Sequence, residues 1–208
     1  MLVVNPKIKN VLNSTFEQFY KNNELSDKEI SDCTIDSNIE NVTINNCVFK
    51  NIDFSAIVFK NVDLIDVIFE NCDLSNKCFD ERLMERIKFK NCKLIGASFI
   101  ESSLKNISIE ECNLEYTNFS GTRLNKVKLI DSYFCNSTFM ETKIKNIILK
   151  NINFKGTDFI KVDLNNIDFS ESTIIGANFD YNSLKGMIID PFQSYTLVSM
   201  LGVKIKQE

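Results

Sequence analysis

A chain of 208 residues with a net charge of −4 and a pI near 5.1 is long enough for one sizeable domain, and its overall balance weighs against a phosphate-binding surface. With no His, it cannot use a His-based triad, His metal ligation or His acid–base catalysis. Its seven Cys, an odd number without disulfide-style clustering, fit reduced thiols in a cytoplasmic protein. The N-terminus lacks a signal-peptide pattern, and no stretch approaches the ~18 apolar residues of a membrane helix. Heavy use of Ile, Lys and Asn fits a bacterial source.

Residues 1–38 form the first region, an N-terminal cap with an irregular first coil. The segment 8–22 is read as a short helix or an irregular cap, with Phe16 and Phe19 covering the coil that follows. Ile30 and Ile35 are five apart but Ile39 follows after four, so the frame slips once near Ser37.

From Ile39 to Ile189 every fifth residue is Phe, Leu, Ile or Met, at 31 positions that hold 14 of the 17 Phe. A period of five fits neither a helix at 3.6 nor a strand at 2. Two residues before each centre lies a second inward position, and 27 of the 30 from Val42 to Met187 are Ala, Cys, Ser, Thr, Val, Ile or Met. Lys77, Arg82 and Asn182 depart from it. The units NCDLS (71–75), NVDLI (61–65) and GANFD (176–180) resemble the pentapeptide repeat family, whose pattern is A(D/N)LXX, over residues 37–189. The resemblance implies an all-β solenoid, a right-handed quadrilateral β-helix over 39–189.

A slower period agrees with it. Every twentieth residue from Phe59 to Phe179 is Phe, whereas the column Leu64, Met84, Leu104, Leu124, Ile144, Leu164 and Leu184 is free of aromatics. Four units per turn therefore stack like on like, and turns about 4.8 Å apart give a rod of roughly 37 Å. Lys77 and Arg82 mark the one internal blemish, because an unpaired buried charge is costly. Either the coil at 75–86 is distorted so that the cations reach solvent, or ten residues loop out and the frame resumes.

Residues 190–208 form the last region. Asp190 is read as an N-cap with Pro191 at the first helical position, and a helix runs to about Leu201 before Gly202. Phe192, Tyr195, Val198 and Leu201 recur on one apolar face. That face either covers the open end of the stack or, the preferred reading, pairs with a second copy in an end-to-end homodimer.

Candidate chemistry is sparse. Cys72, Cys92 and Cys112 are twenty apart, followed by Ser132, which makes a packed inward column rather than a metal site. No catalytic residue, cofactor, metal, membrane or small-molecule substrate is expected, and a filled β-helix offers no cleft. Outward, Lys50, Glu70, Lys90, Glu110, Ile130 and Lys150 read as a charge ladder, and Ile100, Met140 and Ile160 as an apolar column. Glu81, Glu101 and Glu141 share one corner, and Glu111, Asp131 and Glu171 another.

The tail adds a narrower resemblance. Leu184–Ile189, then Gln193, Leu197 and the Leu201-Gly202-Val203 ending look like the end of the Qnr group of pentapeptide proteins. The likeness implies a dimeric, DNA-shaped rod that binds DNA gyrase and topoisomerase IV without touching nucleic acid, and blunts fluoroquinolone action. Glu81, Glu101, Glu111, Asp131 and Glu141 would then stand in for phosphates. The alternative is an interaction scaffold for another partner.

Overall fold

The computed structural model describes residues 2–13, 24–200, 202–204 and 206. Among these residues eight strands, β1 (Leu12–Asn13), β2 (Glu24–Ser31), β3 (Ile39–Lys50), β4 (Phe59–Glu70), β5 (Leu83–Lys90), β6 (Ser103–Glu110), β7 (Arg123–Ile130) and β8 (Lys143–Lys150), form one parallel sheet in chain order. A helix, α1 (Gln193–Met200), follows. Ile44 lies beside Leu64, Leu64 beside Met84, Met84 beside Leu104, and so on to Ile144, a register of one turn per twenty residues in a right-handed solenoid. Between β2 and β3 the register is one residue shorter, with Ile30 beside Phe49, which is the frame slip expected near Ser37.

Each turn has four faces. We number them by their central columns: face 1 carries Ile44 and Leu64, face 2 Phe49 and Phe69, face 3 Phe54 and Leu74, and face 4 Phe59 and Phe79. The strands occupy faces 1 and 2, with β3 and β4 beginning on face 4 at Ile39 and Phe59, whereas face 3 and the rest of face 4 are turns joined by single bridges such as Asp73 to Lys93 and Cys78 to Ser98. The residue before each centre explains the difference. On faces 3 and 4, Asp53, Asp73, Asn113, Asn118, Asn153 and Asp158 accept the N–H two residues on, at 2.8–3.0 Å. Such local side-chain bonds draw the backbone out of an extended ladder. On faces 1 and 2 of β3 to β8, residues such as Val48, Ile68, Arg123 and Ile148 hold that place and leave the backbone to the sheet.

The core follows the columns. From Phe79 to Phe179 the face 4 rings stack at centroid separations of 4.8–5.2 Å, nearly parallel. Phe49, Phe69 and Phe89 stack at 5.1 and 5.3 Å on face 2. Such pairs are worth about 0.5–1.5 kcal/mol beyond the apolar area they bury. The smaller inward residues satisfy backbone acceptors of the preceding turn: Thr122, Thr142 and Thr157 donate to Phe99, Phe119 and Phe134 carbonyls at 2.6–2.7 Å.

The three departures from the inward pattern resolve differently. The coil at 75–86 stays in the stack, with Asn76 N–H, Phe79 N–H and Glu81 N–H bonded to the next turn at 2.7–2.8 Å, so nothing loops out. Lys77 does not reach solvent. It is 4% exposed, and its ammonium donates to the carbonyls of Ile57 (2.8 Å) and Ser55 (3.2 Å). Ile57 O holds the place that, in later turns, receives a backbone N–H. Burial pushes the Lys77 pKa down against the pull of Asp73 and Asp53. Arg82 is half-buried and folds back onto Asp80 O at 3.1 Å. Asn182 is exposed; its neighbour Ser183 takes the inward place and donates to Phe159 O at 3.0 Å.

The N-terminal segment is not helical over residues 8–13, and Phe16 and Phe19 lie outside the described residues. Instead the chain runs lengthwise along the corner between faces 1 and 2. Val4 N–H donates to Asn106 Oδ1 (3.3 Å), Lys7 N–H to Asp66 Oδ1 (2.7 Å) and Lys9 N–H to Asn46 Oδ1 (2.9 Å). Residues 8–13 thus fit the irregular cap of the two alternatives, and residues 14–22, the rest of that segment, lie outside the described residues.

The ladder also stops early. Among the described residues, no backbone hydrogen bond joins β8 to residues 162–170, although the turn continues in register on faces 3 and 4 through Asn153 to Thr173 and Asp158 to Asn178. Ile144, Ile147 and Leu149 are accordingly only partly buried, whereas Leu124, Val127 and Leu129 one turn earlier are 2–3% exposed. Asp163 and Asp168 supply the reason. They accept the N–H groups of Asn165 (3.0 Å) and Ser170 (2.9 Å), so faces 1 and 2 of that turn take the geometry of faces 3 and 4.

Candidate partner-binding surface

The corners of the rod are built on left-handed backbone. Among the described residues, twenty-five other than Gly have positive φ, and 13 of them are Asn, the side chain that tolerates this region best after Gly. Asn71 and Asn91 form an amide ladder with Asn51 at 2.9 and 2.7 Å, and Asn61 bonds Asn41 at 2.8 Å.

All five acidic candidates are corner residues of this kind: Glu81 (φ 59°), Glu101 (55°), Glu111 (57°), Asp131 (47°) and Glu141 (59°). Glu81, Glu101 and Glu141 lie on the corner between faces 4 and 1; Glu111 and Asp131 lie half a turn away, on the opposite corner. The fold therefore brings them together as two edges on opposite sides of the rod, not as one patch. Gly121 (φ 67°) interrupts the first edge, and a Cβ there would sit 3.2 Å from Glu101 Cγ. Glu141 is not a free carboxylate: Lys161 donates to it at 2.7 Å, and this bond lowers its pKa. Asp131 Oδ1 accepts Asn151 Nδ2 at 2.8 Å.

The charge ladder is less regular than its column suggests. Lys90 and Glu70 are 3.8 Å apart, but Lys50 pairs with Glu29 (2.6 Å), and Glu110 takes Lys88 (2.9 Å) and Lys128 (3.6 Å) from its own face. Of the apolar column, Met140 is exposed while Ile100 and Ile160 are half-buried.

Cys72, Cys92 and Cys112 are buried, and Cys72 and Cys92 donate to Phe49 O and Phe69 O at 3.5 and 3.4 Å. The bond with Cys92, then burial, raises the Cys72 thiol, and the bond with Cys112, opposed by that with Cys72 and helped by burial, pushes Cys92 up to about 12. Among the described residues no group of three or more His, Cys, Asp or Glu could hold a metal ion. No described helix is long and apolar enough to cross a membrane.

At the C-terminal end, Asp190 and Gln193 cap each other. Asp190 Oδ1 accepts Phe192 N–H at 2.7 Å, and Gln193 Oε1 accepts Asp190 N–H at 2.9 Å. Gln193 Nε2 donates to Phe169 O at 2.8 Å, and Leu197 packs against the core, so this side of α1 covers the last turn. Phe192 and Tyr195 point away, 81% and 58% exposed; Val198 is half-buried, and Leu201 lies outside the described residues.

One charged region escaped the sequence reading. Arg123, Lys126 and Lys128 on β7 and Lys143, Lys145 and Lys150 on β8 make a basic field on faces 1 and 2 of an acidic protein. The signal was available: neither strand contains an acidic residue. The whole-chain charge averaged it away.

The chain matches a pentapeptide repeat region model over residues 62–133 and 108–179, and a model of eight pentapeptide repeats over 37–76. No curated protein matches it. Among solved structures it is similar to a trypsin-treated form of QnrB1, a plasmid-mediated fluoroquinolone resistance protein, at 21% identity over 88% of this chain and 90% of that one, with a TM-score of 0.42. It is also similar to HetL, a pentapeptide repeat protein involved in heterocyst differentiation regulation from the cyanobacterium Nostoc, at 13% identity over 79% and 84%, with a TM-score of 0.41. What each of those proteins does is a property of that protein. The five-residue columns, the four-sided turn and the matched repeats together make this chain a member of the pentapeptide repeat family.

Proposed function

We propose that this protein is a non-enzymatic rod that occupies a protein surface built for duplex DNA, that of DNA gyrase or topoisomerase IV, and so modulates fluoroquinolone action. The observation that carries the reading is the set of four Glu, at 81, 101, 111 and 141, held in left-handed backbone where Asn is the common occupant. Backbone strain concentrates where a side chain is kept for function. Two carboxylate edges on opposite sides of a rod are a crude equivalent of the two phosphate backbones of a duplex. Glu141, paired with Lys161, contributes least to that field.

The test is a supercoiling assay with gyrase from the same source, with and without ciprofloxacin. Micromolar protein is expected to relieve the drug or to inhibit supercoiling itself, and Glu81→Gln with Glu101→Gln to weaken that effect. No effect in either assay overturns the reading. The second reading, a scaffold for a partner other than a topoisomerase, is favoured by one observation, the basic field of β7 and β8, which has no place in a DNA mimic.

A further inference from the structure

The sheet ends inside the rod rather than at its tip. β8 pairs with β7 on one side and, among the described residues, makes no backbone bond to the turn that follows. A strand edge of this kind is a template for another strand, and proteins ordinarily hide or charge it. Here the edge is lined inward by Ile144, Ile147 and Leu149, which are partly exposed, and outward by Lys143, Lys145, Ile148 and Lys150.

Charge narrows what fits. Arg123, Lys126, Lys143, Lys145 and Lys150 have no ion-pair partner among the described residues; Lys128 shares Glu110 with Lys88. Five unpaired cations on adjacent strands repel one another unless an anionic partner arrives. The acidic residues of the following turn do not serve, because Asp163 and Asp168 turn back to their own loop N–H groups. The apolar floor and the free backbone edge call for an extended polypeptide rather than a bare polyanion: residues beside Ile144, Ile147 and Leu149 pack on the apolar floor, while those beside Lys143, Lys145 and Lys150 meet the lysines, with a change of phase at the Asn146 corner.

We propose that the free edge of β8 is a docking site for an extended acidic segment of a partner protein, added as a strand with apolar residues facing Ile144 and Leu149 and carboxylates facing Lys143, Lys145 and Lys150. This surface lies between the two acidic corners, with Arg123 and Lys143 beside Glu101 and Glu141, and the peptide assay below tests it with no topoisomerase present.

The test uses the full chain and a fluorescein-labelled eight-residue peptide in the phase of β8, Glu-Val-Glu-Asn-Val-Thr-Val-Glu, followed by fluorescence anisotropy. Saturable binding that weakens with salt is expected, with slower amide exchange over 143–150 in the complex. Lys143→Glu with Lys145→Glu is expected to weaken it by at least roughly tenfold. A peptide N-methylated at alternate residues keeps its charge but loses donors, and is expected to bind far more weakly; equal binding overturns strand addition. Asp163→Lys with Asp168→Ile removes the local bonds that keep the next turn out of the ladder. It is expected to raise the unfolding midpoint and abolish peptide binding, and a variant that folds and still binds overturns the site. Tighter binding of an oligothymidylate than of the peptide, or peptide binding unaffected by either double substitution, also overturns the proposal.

Discussion

At Glu81 the backbone sits at φ 59°, a conformation that costs an ordinary side chain about 1–2 kcal/mol and Asn less. Glu81→Asn is therefore expected to raise the unfolding midpoint slightly while weakening any effect on gyrase; thermal unfolding and the supercoiling assay read the two. A fall in stability would show that the carboxylate serves the fold. The carboxylate columns were legible from the twenty-residue spacing, and the same phase, rich in Asn, also advertised the left-handed backbone. Lys77 was not legible, since its acceptors, Ile57 O and Ser55 O, belong to the previous turn. A second residue-scale device is Asp66, buried under the N-terminal segment. Burial works against its charge, but bonds from Arg86 (2.6 and 2.8 Å) and Lys7 N–H outweigh it and lower its pKa. A carboxylate depressed in the folded state stabilises above its unfolded pKa of about 3.9, and that contribution is lost as pH falls through the folded value. Residues 4–9 are thus expected to stay protected from amide exchange at neutral pH and to loosen below about pH 4, and Asp66→Asn to show loosening at neutral pH. Protection unchanged in Asp66→Asn would mean that the segment is held elsewhere.

Among elements, the face 4 stack concentrates the packing. Phe119 is 2% exposed, with rings 4.8 Å away on both sides, so Phe119→Ala removes two stacked contacts and opens a cavity between turns. The expected cost is about 3–5 kcal/mol, read from the denaturant midpoint. A loss under about 1 kcal/mol would mean that neighbouring turns collapse onto the gap. In a solenoid each turn touches only its neighbours, so the loss divides the rod into two weaker halves and is expected to lower unfolding cooperativity as well. The columns made the architecture readable over 39–189, because one large and one small inward residue per five leave no other solution. The end of the sheet was also written in the sequence, as Asp163 and Asp168 at places where β3 to β8 carry mainly residues without a local acceptor. It went unread because the large inward residues continue unchanged through Leu164 and Phe169, and burial pattern alone does not distinguish a strand from a turn. The N-terminal segment was illegible for the opposite reason: its partners are corner side chains as far as 102 residues away.

For the whole molecule, the two ends and the sides pose different problems. A stack of turns exposes core at its ends, and α1 meets this with one side only, through Gln193 and Leu197. Its other side presents Phe192, Tyr195 and the partly exposed Met200 along the rod axis. An apolar patch facing outward from one end closes most simply with an identical patch, since a two-fold contact satisfies both copies and leaves none free to polymerise. The same arrangement would double the length of the acidic edges, which matters because a DNA-sized surface is longer than one chain of eight turns. We therefore expect the 23.9 kDa chain to run as a dimer in light scattering. Tyr195→Asp places a charge in the contact without disturbing Gln193 or Leu197, and is expected to return the monomer mass with a retained β spectrum. A wild-type monomer, or an unchanged dimer in Tyr195→Asp, would leave α1 as a cap alone. If the variant is monomeric, repeating the supercoiling assay with it asks whether length is what the corner carboxylates need, and an undiminished effect would locate activity within a single rod.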